Sequence, residues 1–206
     1  MRSGISATGA PEFSLIGIGS VQMAKYYGLP SDAGVQSDSK TVDAQTTYEK
    51  TRSALAIALA GADFADLGMG STESFTLFSP ILLMIDDEIV SNVTRIAQGI
   101  DINEGTLSTR VIARAGPGGS YLKQKETIKQ FGREHLQPRL SDRSTRLQWN
   151  ASGSVSAHER ARERAEELLK THLPEPIVSE LRKDIDSLIA QYTKDYDLRR
   201  LESIKS

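Results

Sequence analysis

Hydrophobic residues recur at helical spacing in the middle and at the end of the chain. After Ser79-Pro80, which is typical of a helix cap followed by proline in the first turn, one apolar face is formed by Leu82, Ile85, Ile89, Val93 and Ile96. Gly99 is expected to end this helix. A last helix is predicted from about Ile177, where one stripe contains Val178, Leu181, Ile185, Leu188 and Tyr192.

Two further helices are predicted nearer the N-terminus, from Pro11 to about Tyr27 and from about Val42 to Ala60. Extended segments are predicted from Gly28 to about Val35 and, as a buried strand, from Gly61 to Gly68. The pattern therefore predicts about three similar βα units, which favours an α/β fold with parallel strands. Because a closed (β/α)8 barrel needs eight units, we expect part of such a TIM barrel.

The second half of the chain is charged and mainly helical. One helix is predicted from about Glu104 to Ala115, before the glycine-rich turn of residues 116–119. Another is predicted from the capping box of Ser156 and Glu159 to about Lys170. We accordingly divide the chain into a partial barrel, residues 1–119, and a helical C-terminal extension, residues 120–206.

Composition narrows the classes of function. The chain has 206 residues, a formal net charge of −2 and no cysteine, so nucleic-acid binding, a polybasic membrane surface and disulfides are not expected. His135, His158 and His172 lack the spacing of a zinc site, and we expect no tightly bound metal. The longest apolar run, residues 81–85, is too short to span a bilayer, which predicts a soluble protein. The lack of cysteine fits a reducing cytoplasm.

The densest group of chemically useful side chains follows the second extended segment. It includes Asp38, Lys40, Asp43 and Gln45, and loops after the strands of βα units are where ligands bind. Each also has a structural interpretation. The aspartates can cap helix starts, Lys40 can be solvated, and Gln45 can lie with Glu49 on an exposed helical turn.

The loop after the third predicted strand adds Glu73, Phe75 and Phe78. Here the alternatives are an ion pair between Glu73 and a neighbouring basic residue, and a place in the core for the two rings. The acidic run of residues 86–88 is interpreted as a solvated face with some pairing.

Short blocks spread in order along nearly the whole chain point to one family. They are Gly9-Ala10-Pro11-Glu12, Tyr27-Gly28-Leu29-Pro30, Ser37-Asp38-Ser39-Lys40, Asp43-Ala44-Gln45, Ala60-Gly61-Ala62, Ser79-Pro80, Asp86-Asp87-Glu88-Ile89, Gly99-Ile100-Asp101-Ile102, Gly116-Pro117-Gly118-Gly119, Leu122, Pro138, Asp142-Arg143, Trp149 and Arg160-Ala161. With these blocks the chain resembles the trimethylamine methyltransferase family, the corrinoid-dependent methyltransferases that include glycine betaine methyltransferases.

The resemblance implies a (β/α)8 barrel enzyme that moves a methyl group from a methylated amine to cobalt. The cobalt belongs to a corrinoid (cobalamin) carried by a separate partner protein. The resemblance aligns this chain with the C-terminal part of such an enzyme and implies methylamine metabolism, as in methanogenesis. The implied partners are the corrinoid protein and the amine, with no nucleic acid or membrane, and we expect a homo-oligomer.

A cationic methyl donor favours aromatic faces and carboxylates, and a betaine carboxylate favours a lysine. The residues predicted to bind the donor are Asp38, Lys40, Asp43, Gln45, Glu73, Phe75 and Phe78; the catalytic residues are not identified. Family members that use simple methylamines carry pyrrolysine, whereas only standard residues occur here. The resemblance therefore favours a quaternary donor such as glycine betaine. The loops after Pro30 and Gly68 are the candidates for the position equivalent to pyrrolysine.

A second interpretation is a truncated, catalytically silent barrel fragment. Open strand edges and exposed apolar surface favour association. Such a chain would act through self-association or by complementing a separate N-terminal partner.

Overall fold

The computed structural model describes residue 4 and residues 6–205, with side chains described up to residue 193. The chain forms two compact units, one up to Leu168 and one from Leu169 onward. The first has both helices and strands, and the second is helical. The boundary predicted after residue 119 stays a prediction. None of the described helices has a stretch long and apolar enough to cross a lipid bilayer.

Helix α1, Pro11–Tyr27, has the bounds that the sequence predicts. Proline in the first turn costs no hydrogen bond because the first N–H groups of a helix have no partner within it. The helix ends at Gly28, whose φ of +67° favours glycine and whose N–H donates to the carbonyls of Ala24 and Lys25.

Strand β1, Asp32–Gly34, helix α2, Ala44–Ala60, and strand β2, Phe64–Asp66, form a parallel β-α-β unit. The pairing continues past the strands, because the N–H of Val35 donates to the Asp66 carbonyl at 2.7 Å. β2 is not the buried strand that the sequence predicts. Phe64 is 63% exposed, since β2 pairs only with β1 in the described part of the chain.

A small hairpin separates this unit from the next helix. Strands β3, Ser71–Thr72, and β4, Leu77–Phe78, pair antiparallel, and helix α3, Pro80–Ala97, follows. Ser79 caps α3 by accepting a hydrogen bond from the N–H of Leu82 at 3.4 Å, as predicted. The three expected helices are therefore confirmed. The first unit lacks its strand, because the described residues before Pro11 form turns and bends.

Helices fill most of the rest of the described chain. They are α4, Glu104–Leu107; α5, Thr109–Ala115; α6, Lys125–Glu134; α7, Arg146–Ala151; α8, Ala157–Thr171; and α9, Ser179–Lys205. The single helix predicted from Glu104 to Ala115 is divided at Ser108, whose φ of +53° interrupts the helical backbone. The capping box before α8 is confirmed, with the Ser156 N–H 2.7 Å from the Glu159 carboxylate. The apolar stripe of α9 is exposed at Leu181, Leu188 and Tyr192.

The hydrophobic core lies where α1, α2 and α3 pack around β1. Its buried residues are Val21, Ala33, Val35, Ala54, Ile57, Ile89 and Val93. α2 packs against both α1 and α3, and its buried face changes character along its length. Ala54 and Ile57 join the core near the C-terminus, whereas Thr46, Glu49 and Lys50 are buried near the N-terminus, directly beneath the loops described next.

Candidate functional site

The loops that follow β1 and β2 are joined to each other at the carboxyl ends of the two parallel strands. The N–H of Ser74 donates to the Ser37 carbonyl at 3.2 Å, and the Thr72 hydroxyl donates to the Ser39 carbonyl at 2.8 Å. In parallel α/β proteins the crevice at this end of the strands is the usual place for a ligand. The two groups of residues predicted from the sequence therefore belong to adjoining loops.

Asp38 lies at the junction of three chain segments. Its Oδ1 accepts hydrogen bonds from the Thr8 N–H at 3.1 Å, the Thr8 hydroxyl at 3.0 Å and the Ser74 hydroxyl at 3.4 Å. No described residue donates to Oδ2. The interpretation of Asp38 as a helix cap is wrong, because Asp43 caps α2. Asp38 instead ties the N-terminal segment and both loops together through Oδ1.

Glu49 holds Asp38 in place from the buried face of α2. It is 6% exposed and accepts hydrogen bonds from the Ser37 hydroxyl at 2.7 Å, the Asp38 N–H at 2.9 Å and the Gln45 amide at 2.9 Å. Gly9 packs against this group so closely that an added Cβ would lie 2.7 Å from the Asp38 nitrogen. The expectation of an exposed turn is therefore wrong for Glu49, and Gln45 is its half-buried partner.

Asp43 and Lys40 lie at the exposed rim of the site. Asp43 accepts from the backbone N–H groups of Gln45 at 2.9 Å and Thr46 at 3.2 Å, which makes it the cap of α2. Hydrogen bonds lower the pKa of the Asp43 carboxyl below its ordinary value, and the bond from the Thr41 hydroxyl contributes most. Lys40 donates to the Asp38 carbonyl at 2.6 Å and is otherwise exposed.

The loop between β3 and β4 has an unusual backbone. Glu73, Ser74 and Phe75 have φ angles of 51°, 52° and 71°, a left-handed conformation that costs non-glycine residues free energy and is concentrated at functional sites. Phe75 is 50% exposed and Phe78 is 62% exposed. The alternative of core positions for these rings is therefore wrong. No basic side chain of the described part lies within ion-pair distance of Glu73.

A buried ion pair lies under the same loop and was not predicted. The Lys50 ammonium is 2.5 Å from Asp86 Oδ2, and both side chains are 0% exposed. Burial raises the pKa of the Asp86 carboxyl, and Lys50 and the Gly70 N–H offset only part of this effect. Asp86 is thus not on a solvated face, whereas Asp87 is partly exposed and pairs with Arg139 at 2.6 Å.

A separate cavity of about 950 Å³ lies between α3 and α8. Its apolar lining includes Met69, Leu83 and Leu168, and its charged lining includes Arg139 and Arg160. These guanidinium groups are already engaged, Arg139 with Asp87 and Arg160 with the Leu140 carbonyl at 2.6 Å. The cavity therefore has both apolar and charged walls, and neither of these two arginines is unpaired.

The loop site has the chemistry expected for a cation. The two adjoining loops carry the Asp38 and Glu73 carboxylates and the exposed rings of Phe75 and Phe78, and both carboxylates and aromatic faces attract cations. Among the described residues, no group of three or more His, Asp or Glu side chains is arranged to hold a metal ion.

Comparison with known proteins identifies the family. The model of the family described as Trimethylamine methyltransferase (MTTB) matches residues 1–196. The chain belongs to the trimethylamine methyltransferase family. It is 36% identical over 95% of its length to a glycine betaine methyltransferase of Desulfitobacterium hafniense, and 36% identical over 95% to a trimethylamine methyltransferase MttB of Methanosarcina barkeri.

This chain of the trimethylamine methyltransferase family covers 41% of the Desulfitobacterium relative and 39% of the Methanosarcina relative. The family resemblance predicted from the sequence is therefore confirmed, and the chain spans about two fifths of the length of the curated relatives it matches. The relatives' names include both a quaternary and a tertiary amine, so membership of the family leaves the methyl donor open.

Proposed function

We propose that this protein acts in the transfer of a methyl group from a methylated amine to the cobalt of a corrinoid held by a separate partner protein. The proposal rests on family membership together with one observation in the fold. That observation is the direct connection of Asp38 to the loop that carries Glu73 and Phe75, through Ser74. It brings a carboxylate and an exposed ring into adjoining loops.

The proposed reaction is a displacement at carbon. The bond between nitrogen and the methyl carbon breaks, its electron pair stays on nitrogen, and the amine leaves uncharged. The electron pair of Co(I) forms the new bond to the methyl group, so cobalt becomes Co(III). Because the corrinoid supplies the nucleophile, the protein is left to bind and orient the donor and to exclude water.

Each loop residue has a definite part in this proposal. Asp38 Oδ2 and the Glu73 carboxylate attract the donor cation, and the Phe75 and Phe78 rings contact its methyl groups. Gln45 acts through Glu49, which it contacts at 2.9 Å. Asp43 acts by holding the start of α2.

We propose a quaternary donor of the glycine betaine type. Such a donor has a carboxylate as well as a cation, and the exposed Lys40 lies beside Asp38 at the rim of the same loop. Pyrrolysine is absent from this sequence, which agrees with a donor other than a simple methylamine.

The proposed scaffold is part of a (β/α)8 barrel, to which this chain contributes β1, α2 and β2 with α1 and α3. Parallel strands joined through a helix are the repeating unit of such a barrel. The position of the candidate site at the carboxyl ends of β1 and β2 supports the assignment, because barrel enzymes bind substrates at that end.

The test is methyl transfer to reduced cobalamin, followed by the change in its absorption spectrum. Glycine betaine, trimethylamine and a non-methylated control, glycine, are supplied in parallel with the protein. We expect methylated cobalamin with glycine betaine and none with glycine. Absence of transfer from every methylated amine, in the presence of a corrinoid protein as well as free cobalamin, would contradict the proposal.

One observation favours a second candidate function, association without catalysis. β1 and β2 each have a single neighbouring strand in the described part of the chain, and unpaired strand edges recruit further strands. In this case the chain complements a separate polypeptide that supplies the other strands, or it pairs with a second copy.

A further inference from the structure

Lys50 and Asp86 form a buried cluster with the backbone of the loop between β2 and α3. The Lys50 ammonium donates to the carbonyls of Gly68 at 3.2 Å and Ser71 at 3.1 Å, in addition to its ion pair with Asp86. Asp86 Oδ2 also accepts the N–H of Gly70 at 2.7 Å. The pair therefore fixes the backbone of this loop at three residues, Gly68, Gly70 and Ser71.

Stability alone does not account for this arrangement. A buried ion pair is often no more stabilising than apolar residues of similar volume, because both charges lose their hydration. In addition, Asp86 Oδ1 is buried without a hydrogen-bond partner, which is a further cost. What an apolar pair cannot do is bind two carbonyls and one N–H at fixed positions.

The loop needs such anchoring because its backbone is strained. Glu73, Ser74 and Phe75 all have positive φ, and such conformations persist only where surrounding contacts enforce them. The anchored glycines also lie directly against the two rings: an added Cβ at Gly68 would collide with the Phe75 ring, and one at Gly70 with the Phe78 ring. Fixing the two glycines therefore fixes the surfaces on which both rings rest.

We propose that Lys50 and Asp86 are positioning residues that hold the loop of residues 68–79 so that Phe75, Phe78 and Glu73 face the methyl donor. The pair touches no substrate and acts through the loop. This inference rests on the proposed function for its consequence in catalysis, whereas its consequence for loop order is independent of that function.

The variant that tests this role is the double substitution Lys50→Met/Asp86→Leu. Either single substitution leaves one buried charge unpaired and strongly destabilises the fold, so a loss of activity would not be informative. The double variant removes both charges, fills the space with apolar atoms and leaves the loop without its anchors. The matched control is Arg95→Met/Glu134→Leu, which removes another ion pair, one in which the arginine likewise holds backbone carbonyls, at Glu134 and Gly99.

Two measurements are made on each variant, with thermal unfolding as the check on the fold. Amide hydrogen exchange of Gly70 is expected to accelerate about tenfold or more in the double variant, because its N–H loses a hydrogen bond to the charged Asp86 carboxylate. The KM for glycine betaine is expected to rise about tenfold with a smaller change in kcat, as for lost donor binding. The control is expected to leave both values unchanged.

The outcomes separate the two proposals. A folded double variant with unchanged exchange at Gly70, or with faster exchange and unchanged KM, would overturn the positioning role. If the wild-type protein transfers no methyl group from any amine, the proposed function fails, and the exchange measurement still decides whether the pair orders the loop.

A second variant keeps the test decisive if the double variant does not fold. Lys50→Arg retains the charge and the pair with Asp86, but its planar head does not reproduce the ammonium contacts with the Gly68 and Ser71 carbonyls. We expect a retained fold, faster exchange at residues 71–76 and a raised KM. An unchanged KM in this variant would also overturn the role.

Discussion

Asp38 uses one carboxylate oxygen, Oδ1, for structural contacts, and the other, Oδ2, is the oxygen that we propose binds the donor. Oδ1 accepts hydrogen bonds from Thr8 and Ser74, so a substitution that keeps an oxygen at this position tests the role of Oδ2 separately. Asp38→Asn keeps an oxygen at the Oδ1 position and removes the negative charge. We expect donor affinity to fall about tenfold, because the donor cation loses its Coulombic attraction to the carboxylate, while thermal stability changes little.

The measurement for Asp38→Asn is the KM for glycine betaine. Asp184→Asn, on the exposed surface of α9, serves as the control because it makes the same chemical change far along the chain from the loops. Equal donor affinities in wild type and Asp38→Asn would remove Asp38 from the binding site.

Glu88 gives the protein a pH dependence of stability. Burial alone would raise its pKa, but the Ser141 hydroxyl and the N–H groups of Arg139, Leu140 and Ser141 together lower it. Because the folded-state pKa is below the unfolded one, Glu88 contributes its full stability above the ordinary glutamate pKa of about 4.3. That contribution is lost as the pH falls through the lowered value.

We expect Glu88→Gln to unfold at a lower temperature than wild type at neutral pH, by about 2–4 °C for a loss of about 1 kcal/mol. The difference should shrink as the pH falls below about 4. Thermal melts of both proteins between neutral and acidic pH measure this, with Glu12→Gln, an exposed residue of α1, as the control. A difference that is constant with pH would rule out the role of the Glu88 charge.

Some of these residue roles could be predicted from the sequence and others could not. Capping by Asp43 depends on residues two and three positions away, so a short window of sequence contains the signal. Burial of Lys50 depends on Asp86, thirty-six positions away, and no local pattern indicates that partner. The sequence does contain a partial signal for the burial of Lys50, because Glu49 and Lys50 lie on the same helical face as Ala54 and Ile57, nearer the N-terminus.

At the scale of elements, α2 connects the core to the site. The apolar end of its buried face contains Ile57, which is fully buried. We expect Ile57→Ala to lower the free energy of unfolding by about 2–5 kcal/mol, through lost burial and the cavity left behind. Chemical denaturation measures the change. Leu59→Ala in the same helix, where Leu59 is 62% exposed, should have a much smaller effect, and equal effects would contradict the assigned core face.

The helices were predicted better than the strands for a physical reason. Helix ends have local signals, such as Ser79 before Pro80 and Gly28 after Tyr27, whereas a strand is defined by its partner. β1 and β2 have only three residues each, too few for a pattern of alternation. The exposure of Phe64 likewise depends on which strands lie beside β2, and no local pattern specifies that.

At the scale of the whole molecule, the described surface is rich in exposed apolar residues. α1 alone exposes Leu15, Ile16 and Met23 by half or more, and among the described strands β1 and β2 each have an unpaired edge. Extended apolar patches of this kind mark interaction surfaces. We therefore expect the chain to self-associate, with sedimentation velocity showing a mean mass that rises with concentration.

Substitution on α1 makes the association test specific. Ile16→Lys/Met23→Lys should reduce the mean mass at a given concentration, whereas the control Ser20→Lys, at an exposed polar position of the same helix, should not. A folded monomer at every concentration would argue against both association through α1 and the non-catalytic alternative.

The most direct test of the central claim is a crystal structure of the protein with glycine betaine. We predict density for the ammonium group beside Asp38 Oδ2, with the Phe75 ring and the Glu73 carboxylate around it and the donor carboxylate directed toward Lys40. Density instead in the cavity between α3 and α8, or no bound donor at concentrations that support methyl transfer, would contradict the assignment of the site to the loops that follow β1 and β2.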